Sequence, residues 1–534
     1  MVSHLPNIDS LSLSQQVAQM VVVRASGYLF DHQIQYPQWE APAAKLEHWI
    51  KNLGVGGVIL VGGSAGEIRL RTEKLQTSAR IPLLISADIE EGVGQRFSGA
   101  TWFAPPMALS AIFRKDAPLA LDYAEKMGAI TAQEALAIGI NWLLAPVVDV
   151  NNNFDNPVIN VRAFGETTEE VSQIACAFIR GAQKHPVLTT LKHFPGHGDT
   201  TTDSHLDLPV IPHSSERLAA VELPPFQAGI MAGVDAVMSA HLLIPSWDSE
   251  NPATLSQKIL TEQLRKTLGF SGLIVTDALV MGAIANRYGA NEATVMALEA
   301  GADILLMPVD PEGAIAAVCA AVESGRISPQ RIRASVERIW QAKSKLTTSP
   351  SNRDLTQELS QPHSLSVATE ILQQSQVIHG SVPLAAEKLI NANFSNNTYL
   401  SCLRNLIVVD NRLTCDFLSH NSPAISLPQQ KGYTTCFSDC YSQATHPFDS
   451  EHPTLLQLFI RGNPLRGNAG LHQTAQECLE NLLKSGDLQA LAVYGSPYVV
   501  ERFIPLLPAE IPCIFSYGQM PSAQALALNA LFGV

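Results

Sequence analysis

Short apolar runs alternate with longer amphipathic stretches through the first 346 residues of the chain. The runs are rich in Val, Ile and Leu and lack regular polar positions, a pattern typical of strands that are buried on both faces. Eight such runs occur, at Met20–Val23, Gly57–Val61, Leu83–Ala87, Trp142–Pro146, Val187–Leu191, Ala236–Ser239, Leu273–Thr276 and Ile304–Met307. The stretches between them are long enough for helices, such as Asp122–Ile138, Glu169–Gln183, Ser214–Met231 and Ala290–Ala300.

Eight strand-then-helix units predict an α/β fold in which parallel strands close into a (β/α)8 barrel of the TIM type. We assign residues 1–346 to this barrel. The alternative is a doubly wound open sheet, which normally carries a GxGxxG phosphate-binding loop after its first strand. The sequence Arg24-Ala25-Ser26-Gly27 does not match that loop. The glycines between Gly54 and Gly66 do not match it either, so we interpret them as turn and packing residues.

A second domain is predicted after a polar linker. Residues 347–361 are rich in Ser, Thr and other polar side chains, as linkers are. Residues 362–534 then predict a smaller αβα sandwich, with strands at Leu406–Val409, Leu456–Ile460, Leu491–Tyr494 and Cys513–Ser516 and helices at Gly470–Leu483 and Ala523–Leu531. The stretch Arg461–Asn468 is rich in Gly, Asn and Pro and is either a simple turn or a loop that faces the barrel.

Composition and net charge indicate which kinds of molecule the protein can bind. The formal net charge is −14 and no run of Lys or Arg occurs, which argues against nucleic acid or an anionic membrane and favours a small neutral substrate. No segment approaches the roughly 18 apolar residues of a membrane span. Met1–Val23 has neither the basic segment nor the cleavage site of a signal peptide, so we expect a cytoplasmic protein. The eight cysteines form no CxxC pair and are interpreted as reduced thiols.

Polar residues follow most of the predicted strands. In a (β/α)8 barrel the active site is built at the carboxyl ends of the strands, so side chains at these positions meet at one mouth. The residues concerned are Asp88, Asp149, Arg162, Lys192, His193, His241 and Asp277. We therefore expect them to face a common site.

The densest polar stretch is KHFPGHGDTTTDSHLDLP, which begins at Lys192. His193 and His197 have the i, i+4 spacing of helical zinc sites. Pro195 and Gly196 lie between them and would break the helix that makes this spacing useful. We therefore expect no metal and no other cofactor.

Two further positions are candidates for acid/base and nucleophilic chemistry. In Asp203-Ser204-His205 a carboxylate stands two residues from an imidazole, close enough on a looped backbone to orient the ring and support its protonated form. The alternative is a surface loop in which these side chains cap turns. Asp277 ends an apolar run, where it is either the N-cap of the next helix or a carboxylate nucleophile at the barrel mouth.

Four motifs resemble those of the β-N-acetylglucosaminidases of glycoside hydrolase family 3. They are DIEEG at Asp88–Gly92, NVRAFGE at Asn160–Glu166, KHFPGHGDTTTDSH at Lys192–His205 and VTDALVMGAI at Val275–Ile284. Their order follows the family through about Leu346, and the long histidine motif is highly specific. One departure is Glu91, which stands where the family commonly has a glycine.

The resemblance implies a role for seven residues. Asp277 would be the nucleophile, and His205 with Asp203 would form the acid/base dyad that replaces the second carboxylate of ordinary glycosidases. Asp88 would bind sugar hydroxyls in the terminal subsite. The ring would be fixed, and the N-acetyl sugar recognised, by Arg162, Lys192 and His193.

The resemblance also implies the activity: a retaining exo-enzyme that releases N-acetyl-β-D-glucosamine from peptidoglycan fragments, during their recycling, or from chitooligosaccharides. A β-glucosidase or β-xylosidase of the same family would usually draw its acid/base carboxylate from the second domain, and the histidine loop argues against that. The remaining candidates are a phosphorylase, which uses phosphate in place of water, and a non-catalytic carbohydrate-binding protein. The latter would be expected to have lost Asp277, Asp203 or His205, and all three are present.

Overall fold

Eight parallel strands close into a barrel in the N-terminal part of the protein. The computed structural model describes residues 5–204, 206–346, 354–384, 403–412, 415, 417–439, 452–462 and 473–533. The barrel strands are β1 Val21–Ser26, β2 Gly57–Val61, β3 Leu84–Ala87, β4 Trp142–Leu143, β5 Thr190–Phe194, β6 Ala236–Ser239, β7 Leu273–Val275 and β8 Leu305–Leu306. Nearly all of their residues are buried, as expected for strands covered on both faces.

The strand pairing is parallel all the way round the barrel. Strands β1 to β4 pair in order, β8 pairs with β1, and β5 to β7 pair in order. Isolated parallel bridges join the two groups, from Trp142 to Leu188 and from Val275 to Ile304. The ring is therefore closed, and the predicted (β/α)8 barrel is confirmed.

Helices between the strands cover the outside of the barrel. They are α1 Leu13–Ala18, α2 Ala43–His48, α3 Ala65–Ser78, α4 Met107–Phe113, α5 Ala117–Ala137, α6 Thr168–Ala182, α7 Ser215–Ala220, α8 Leu223–Met231, α9 Gly282–Tyr288, α10 Ala290–Ala300, α11 Pro311–Glu323 and α12 Pro329–Ser344, with π-helical stretches at Trp49–Leu53 and Lys258–Thr267. A capping box begins α3, where the Ser64 N–H donates to the Glu67 carboxylate at 2.8 Å and the Glu67 N–H donates to the Ser64 hydroxyl at 3.3 Å. The single helix predicted at Ser214–Met231 is two helices, because the Pro224-Pro225 pair starts α8 and could not continue α7.

A six-stranded sheet with helices on both faces forms the second domain. Its strands are β9 Val377–His379, β10 Leu403–Val408, β11 Tyr433–Ser438, β12 Thr454–Ile460, β13 Leu488–Gly495 and β14 Cys513–Ser516, in the order β11-β10-β12-β13-β14-β9 with β9 antiparallel. The helices are α13 Leu355–Glu358, α14 Pro362–Ser375, α15 Pro423–Gln430, α16 Gln473–Ser485, α17 Pro497–Phe503 and α18 Pro521–Phe532. Neighbouring residues such as Leu406 and Ile407 belong to separate apolar clusters, so both faces of the sheet are buried and the predicted sandwich is confirmed.

Helix α14 connects the second domain to the barrel by packing on both α4 and α5. Of the predicted linker, residues 347–353 lie outside the described residues. The Ser360 N–H, at the end of that predicted linker, donates to the Glu134 carboxylate of α5 at 2.8 Å. The described residues contain no helix with both the length and the apolar character that a membrane crossing requires.

Candidate active site

A cavity of about 500 Å³ opens at the carboxyl ends of the barrel strands. Its wall includes five of the residues that the sequence singled out: Asp88 after β3, Arg162 after β4, Lys192 and His193 of β5, and Asp277 after β7. This is the face of a (β/α)8 barrel where enzymes carry their active sites. The second domain completes part of the same wall.

Asp277 is the second residue after β7 and is partly exposed to the cavity. Its Oδ1 accepts a hydrogen bond of 2.7 Å from the N–H of Ala278. The next helix, α9, begins at Gly282 with Met281 as its N-cap, so Asp277 does not cap it. Of the two interpretations that the sequence left open, the structure therefore leaves a carboxylate that faces the cavity.

Lys192 and Arg162 hold two carboxylates on one side of the cavity. The Nζ of Lys192 lies 2.7 Å from Asp88 Oδ1 and 2.6 Å from Glu90 Oε1. Arg162 donates to both oxygens of Glu90, at 2.9 and 2.8 Å. Lys192 and Glu90 are buried, whereas a third of the Asp88 side chain is exposed. Asp88 is therefore the carboxylate of this cluster that can reach a ligand.

The same contacts fix the charges of the cluster. Burial disfavours the charged form of Glu90, but the positive charges of Arg162 and Lys192 outweigh burial and hold the pKa of the Glu90 carboxyl well below its usual range. Burial likewise disfavours the charged Lys192 ammonium, and the carboxylates of Asp88 and Glu90 outweigh it and raise the pKa of Lys192. Glu90 and Lys192 are therefore both charged at neutral pH.

Lys192 and His193 lie within β5, although the sequence predicted that strand at Val187–Leu191 and placed both residues after it. The strand runs from Thr190 to Phe194. The second half of this strand was not predicted because it contains two polar residues and so interrupts the apolar run. These residues can lie in a buried strand because buried carboxylates, rather than solvent, bind their side chains. The predicted boundary of β5 was therefore wrong.

Asp149 lies beneath the cavity wall and holds two histidines. Its Oδ2 is 2.7 Å from Nδ1 of His193, and its Oδ1 accepts the N–H groups of His193 at 3.1 Å and His197 at 2.6 Å. The ring nitrogens of His197 meet the hydroxyls of Thr200 at 2.8 Å and Ser204 at 2.9 Å. Burial lowers the pKa of His197 to about 4, so this ring is neutral at pH 7. Asp149 thus orients His193 with Nε2 as the nitrogen that can face a ligand.

The predicted acid/base loop follows directly after this network. Asp203 and Ser204 are both buried, and Ser204 lies in the cavity wall. His205 lies outside the described residues. The position of the Asp203 and His205 dyad therefore remains a prediction, and its support is that the residue preceding His205 borders the cavity.

His241, which we expected at the mouth, lies one layer below it. The ring is fully buried, with Nδ1 2.8 Å from the Thr254 hydroxyl and Nε2 3.1 Å from the Ala278 carbonyl oxygen. A histidine bridging two such groups supports the backbone beside Asp277 and does not present a nitrogen to the cavity. The expectation that His241 faces the common site was wrong.

The second domain contributes the first residue of the stretch Arg461–Asn468 to the cavity wall. Arg461 comes immediately after β12 and lies in the cavity wall. Its guanidinium forms an ion pair with Glu91, which is fully buried and also accepts a hydrogen bond of 3.0 Å from the Trp102 indole. The next residue, Gly462, lies so close to Asn160 that a Cβ there would meet the Asn160 Cβ at 2.8 Å. The stretch Arg461–Asn468 therefore faces the barrel at its first two residues, and residues 463–468 lie outside those described.

Comparison with known proteins gives matches over both domains. Residues 12–342 match the Glycosyl hydrolase family 3 N terminal domain, and residues 396–533 match the Bacterial Glycosyl hydrolase family 3 C-terminal domain. The chain is 32% identical over 415 residues to a β-hexosaminidase A of Pseudoalteromonas piscicida, covering 67% of this chain and 68% of the relative. It is 31% identical over 311 residues to a β-N-acetylglucosaminidase/β-glucosidase of Cellulomonas fimi, covering 56% of this chain and 54% of the relative.

A solved structure is similar over almost the whole chain. It is a glycoside hydrolase family 3 β-N-acetylglucosaminidase from Paenibacillus sp. strain FPU-7, with 31% identity and a TM-score of 0.77. The alignment covers 98% of this chain and 97% of that protein. The likeness therefore includes the second domain as well as the barrel.

Proposed function

Because the chain belongs to glycosyl hydrolase family 3, we propose that this glycosidase is a retaining exo-β-N-acetylglucosaminidase. The observation that supports this most is the single cavity that holds Asp277 together with Asp88, Lys192 and Arg162. Two proteins about one third identical to this chain are named a β-hexosaminidase and a β-N-acetylglucosaminidase. Its substrates would be oligosaccharides with a terminal non-reducing N-acetyl-β-D-glucosamine, from peptidoglycan or chitin.

The proposed reaction is a double displacement. The Asp277 carboxylate attacks the anomeric carbon while His205 gives a proton to the leaving oxygen, which produces a glycosyl-enzyme and a released alcohol. His205 then takes a proton from water, whose oxygen displaces Asp277 from the anomeric carbon. Two inversions give net retention. Asp203 would orient the imidazole and favour its protonated form in the first step.

The ion network would serve as the ring-binding side of the site. The exposed part of Asp88 would accept hydrogen bonds from sugar hydroxyls, and Lys192, at 2.7 Å, would hold that carboxylate in place. The two cations, Arg162 and Lys192, are matched by two carboxylates at contact distance, Glu90 and Asp88, so neither cation is left without a carboxylate partner. Such pre-positioned charges bind a sugar without needing to reorganise.

Specificity for the N-acetylated sugar is the first consequence of this proposal. We expect kcat/KM for 4-nitrophenyl N-acetyl-β-D-glucosaminide to exceed that for the β-glucoside and the β-xyloside at least about 100-fold, because polar groups built to bind one substituent are left unpaired without it. Initial rates on the three substrates measure this directly. A glucoside hydrolysed as fast as the N-acetylglucosaminide would contradict the proposal, and the Cellulomonas fimi relative, whose name includes both activities, makes the comparison necessary.

Independence from metal is the second consequence. Among the described residues, no three His, Cys, Asp or Glu side chains are placed to hold a metal ion, and both ring nitrogens of His197 are already engaged by hydroxyls. We expect preincubation with EDTA to leave kcat/KM on the N-acetylglucosaminide unchanged. A loss of turnover that zinc restores would show that the histidine loop binds a metal and would overturn the proposed mechanism.

A further inference from the structure

Two aromatic side chains form a plate on the rim of the cavity. Tyr36 and Trp39 lie in the loop between β1 and α2, with ring centres 5.8 Å apart and planes inclined by 20°. Both border the cavity, and 38% of Tyr36 is exposed. Large aromatic surface left open beside an active site usually marks a place where a ligand binds.

Arg24 contacts both rings of this plate. Its guanidinium carbon lies 4.9 Å from the ring centre of Tyr36 and 5.4 Å from that of Trp39, within cation–π distance. The guanidinium donates to Glu40 Oε1 at 3.1 and 2.8 Å, and Glu40 is buried. The plate is thus held by contacts with Arg24 of strand β1, which is itself tied to Glu40 at the end of the same loop.

The plate and the ion cluster around Asp88 and Lys192 lie at the ends of different strands of the barrel. Strand β8 lies between β1 and β7, and its end residues Leu306 and Met307 border the cavity between the plate and the strand that carries Asp277. Asp88 follows β3, with β2 between it and β1. A sugar ring held by Asp88 and Lys192 with its anomeric carbon at Asp277 would leave the β1 side of the cavity for whatever is attached to that carbon.

We propose that Tyr36 and Trp39 form the subsite for the sugar on the leaving-group side of the cleaved bond, bound through the apolar face of its ring. This assignment rests on the proposed function. A pyranose in the chair form presents a face of C–H groups that packs against an aromatic ring, while its hydroxyls point outward to solvent or to polar neighbours.

The charges around the cavity favour a neutral sugar in this subsite. Of the five cations in the wall, four are paired with a carboxylate, as Arg24 with Glu40, Arg162 with Glu90, Lys192 with Asp88 and Arg461 with Glu91. The fifth, Arg96, donates to the backbone carbonyl of Asp88 at 3.0 Å and so lies on the Asp88 side of the cavity, whereas the cation beside the plate is the paired Arg24. Such paired cations offer little attraction to an acidic group on the leaving sugar. The expected occupant is therefore a neutral N-acetylated sugar, as in a chitooligosaccharide.

A second aromatic pair in the wall is less suited to this role. Phe417 and Phe459 stack at 5.3 Å in the second domain, but only 2% of Phe459 is exposed and its ring also stacks on Tyr494 at 4.4 Å. These rings belong to the apolar core of that domain. The pair on the barrel is the one that presents an open ring surface.

The test compares two substrates that differ in the leaving group. N,N′-diacetylchitobiose leaves a sugar, whereas N-acetyl-β-D-glucosaminyl azide leaves a small ion with no ring to stack. In Trp39→Ala and in Tyr36→Ala, the ratio of kcat/KM for the disaccharide to kcat/KM for the azide should fall about tenfold, chiefly through KM, because each ring supplies part of the stacking surface. Trp39→Phe and Tyr36→Phe keep a ring and should retain most of the wild-type ratio.

Phe30→Ala is the matched control. Phe30 is an aromatic residue of the same loop, 62% exposed and stacked on His32, and it does not border the cavity. Its variant should keep the wild-type ratio. If the alanine variants of Tyr36 and Trp39 keep that ratio too, or lose both substrates in parallel with a lowered Tm, the rings have a structural role and the subsite is wrong. If the wild-type protein cleaves neither substrate, the proposed function itself has failed.

Discussion

Replacement of Asp277 by alanine is expected to lower hydrolysis of every N-acetylglucosaminide by about 10⁴-fold or more, whatever its leaving group. A nucleophile is needed for each bond cleaved, and a good leaving group cannot replace it. The side chain borders the cavity without capping α9, so its loss should leave the fold intact. Initial rates on nitrophenyl and disaccharide substrates, with Tm measured in parallel, check both parts of this prediction.

Rescue of the Asp277→Ala variant by azide tests whether Asp277 is the nucleophile or has only a structural role. A small anion that enters the space left in Asp277→Ala should restore cleavage of an activated substrate and give the α-glycosyl azide, because one displacement replaces two. Asp310→Ala is a suitable control, since Asp310 also follows a barrel strand but is exposed and does not border the cavity. It should behave as wild type. A variant of Asp277 that retains activity, or a β-configured azide product, would contradict the assignment.

The His205→Ala substitution is expected to lower the cleavage rate by an amount that depends on the leaving group of the substrate. Nitrophenolate departs without a proton, so cleavage of an aryl glycoside should survive, whereas an unactivated disaccharide should lose about 10²–10⁴-fold in rate. The second step then slows because no base activates water, and the glycosyl-enzyme accumulates. The expected record is a burst of nitrophenol followed by a slow steady state, with intact-mass analysis showing one added sugar on the peptide that contains Asp277.

Two further variants limit the interpretation of that result. Asp203→Ala should resemble a milder His205→Ala, because the ring remains but loses the carboxylate that orients and charges it. His213→Ala is the matched control: His213 pairs with Asp199 at 2.9 Å in the same loop region, and neither residue borders the cavity. It should leave both substrates unaffected. If His205→Ala cleaves disaccharides at the wild-type rate, His205 is not the acid/base.

The barrel could be predicted from the sequence because its strands are buried on both faces. Complete burial gives uninterrupted apolar runs, and all eight predicted runs lie at or beside an observed strand. Strands β9 and β11 were missed because they form the edges of the second sheet and alternate between buried and exposed residues or are largely exposed. An edge strand has only one neighbour to cover it, so its apolar signal is weak.

Some residues of the site could be predicted because they follow a barrel strand, and others could not. Asp88 and Asp277 were found because the barrel brings strand ends together. The pairing of Glu91 with Arg461, 370 residues apart in the chain, depends on how the second domain docks, which no local pattern encodes. Tyr36 and Trp39 lie in a loop without periodicity, where the Pro37 and Gln38 between them give no sign that the two rings stack.

The ion pair between Glu91 and Arg461 couples the stabilities of the two domains. Glu91 is fully buried in the barrel, and the cation that pairs with it comes from the second domain. Without the Arg461 side chain this buried carboxylate would have no cation to pair with, which would cost about 3–5 kcal/mol of stability. A glycine at this position would have no charge that needs a partner. The stability of the barrel therefore depends in part on the second domain, and removal of that domain is expected to lower the temperature at which the barrel unfolds.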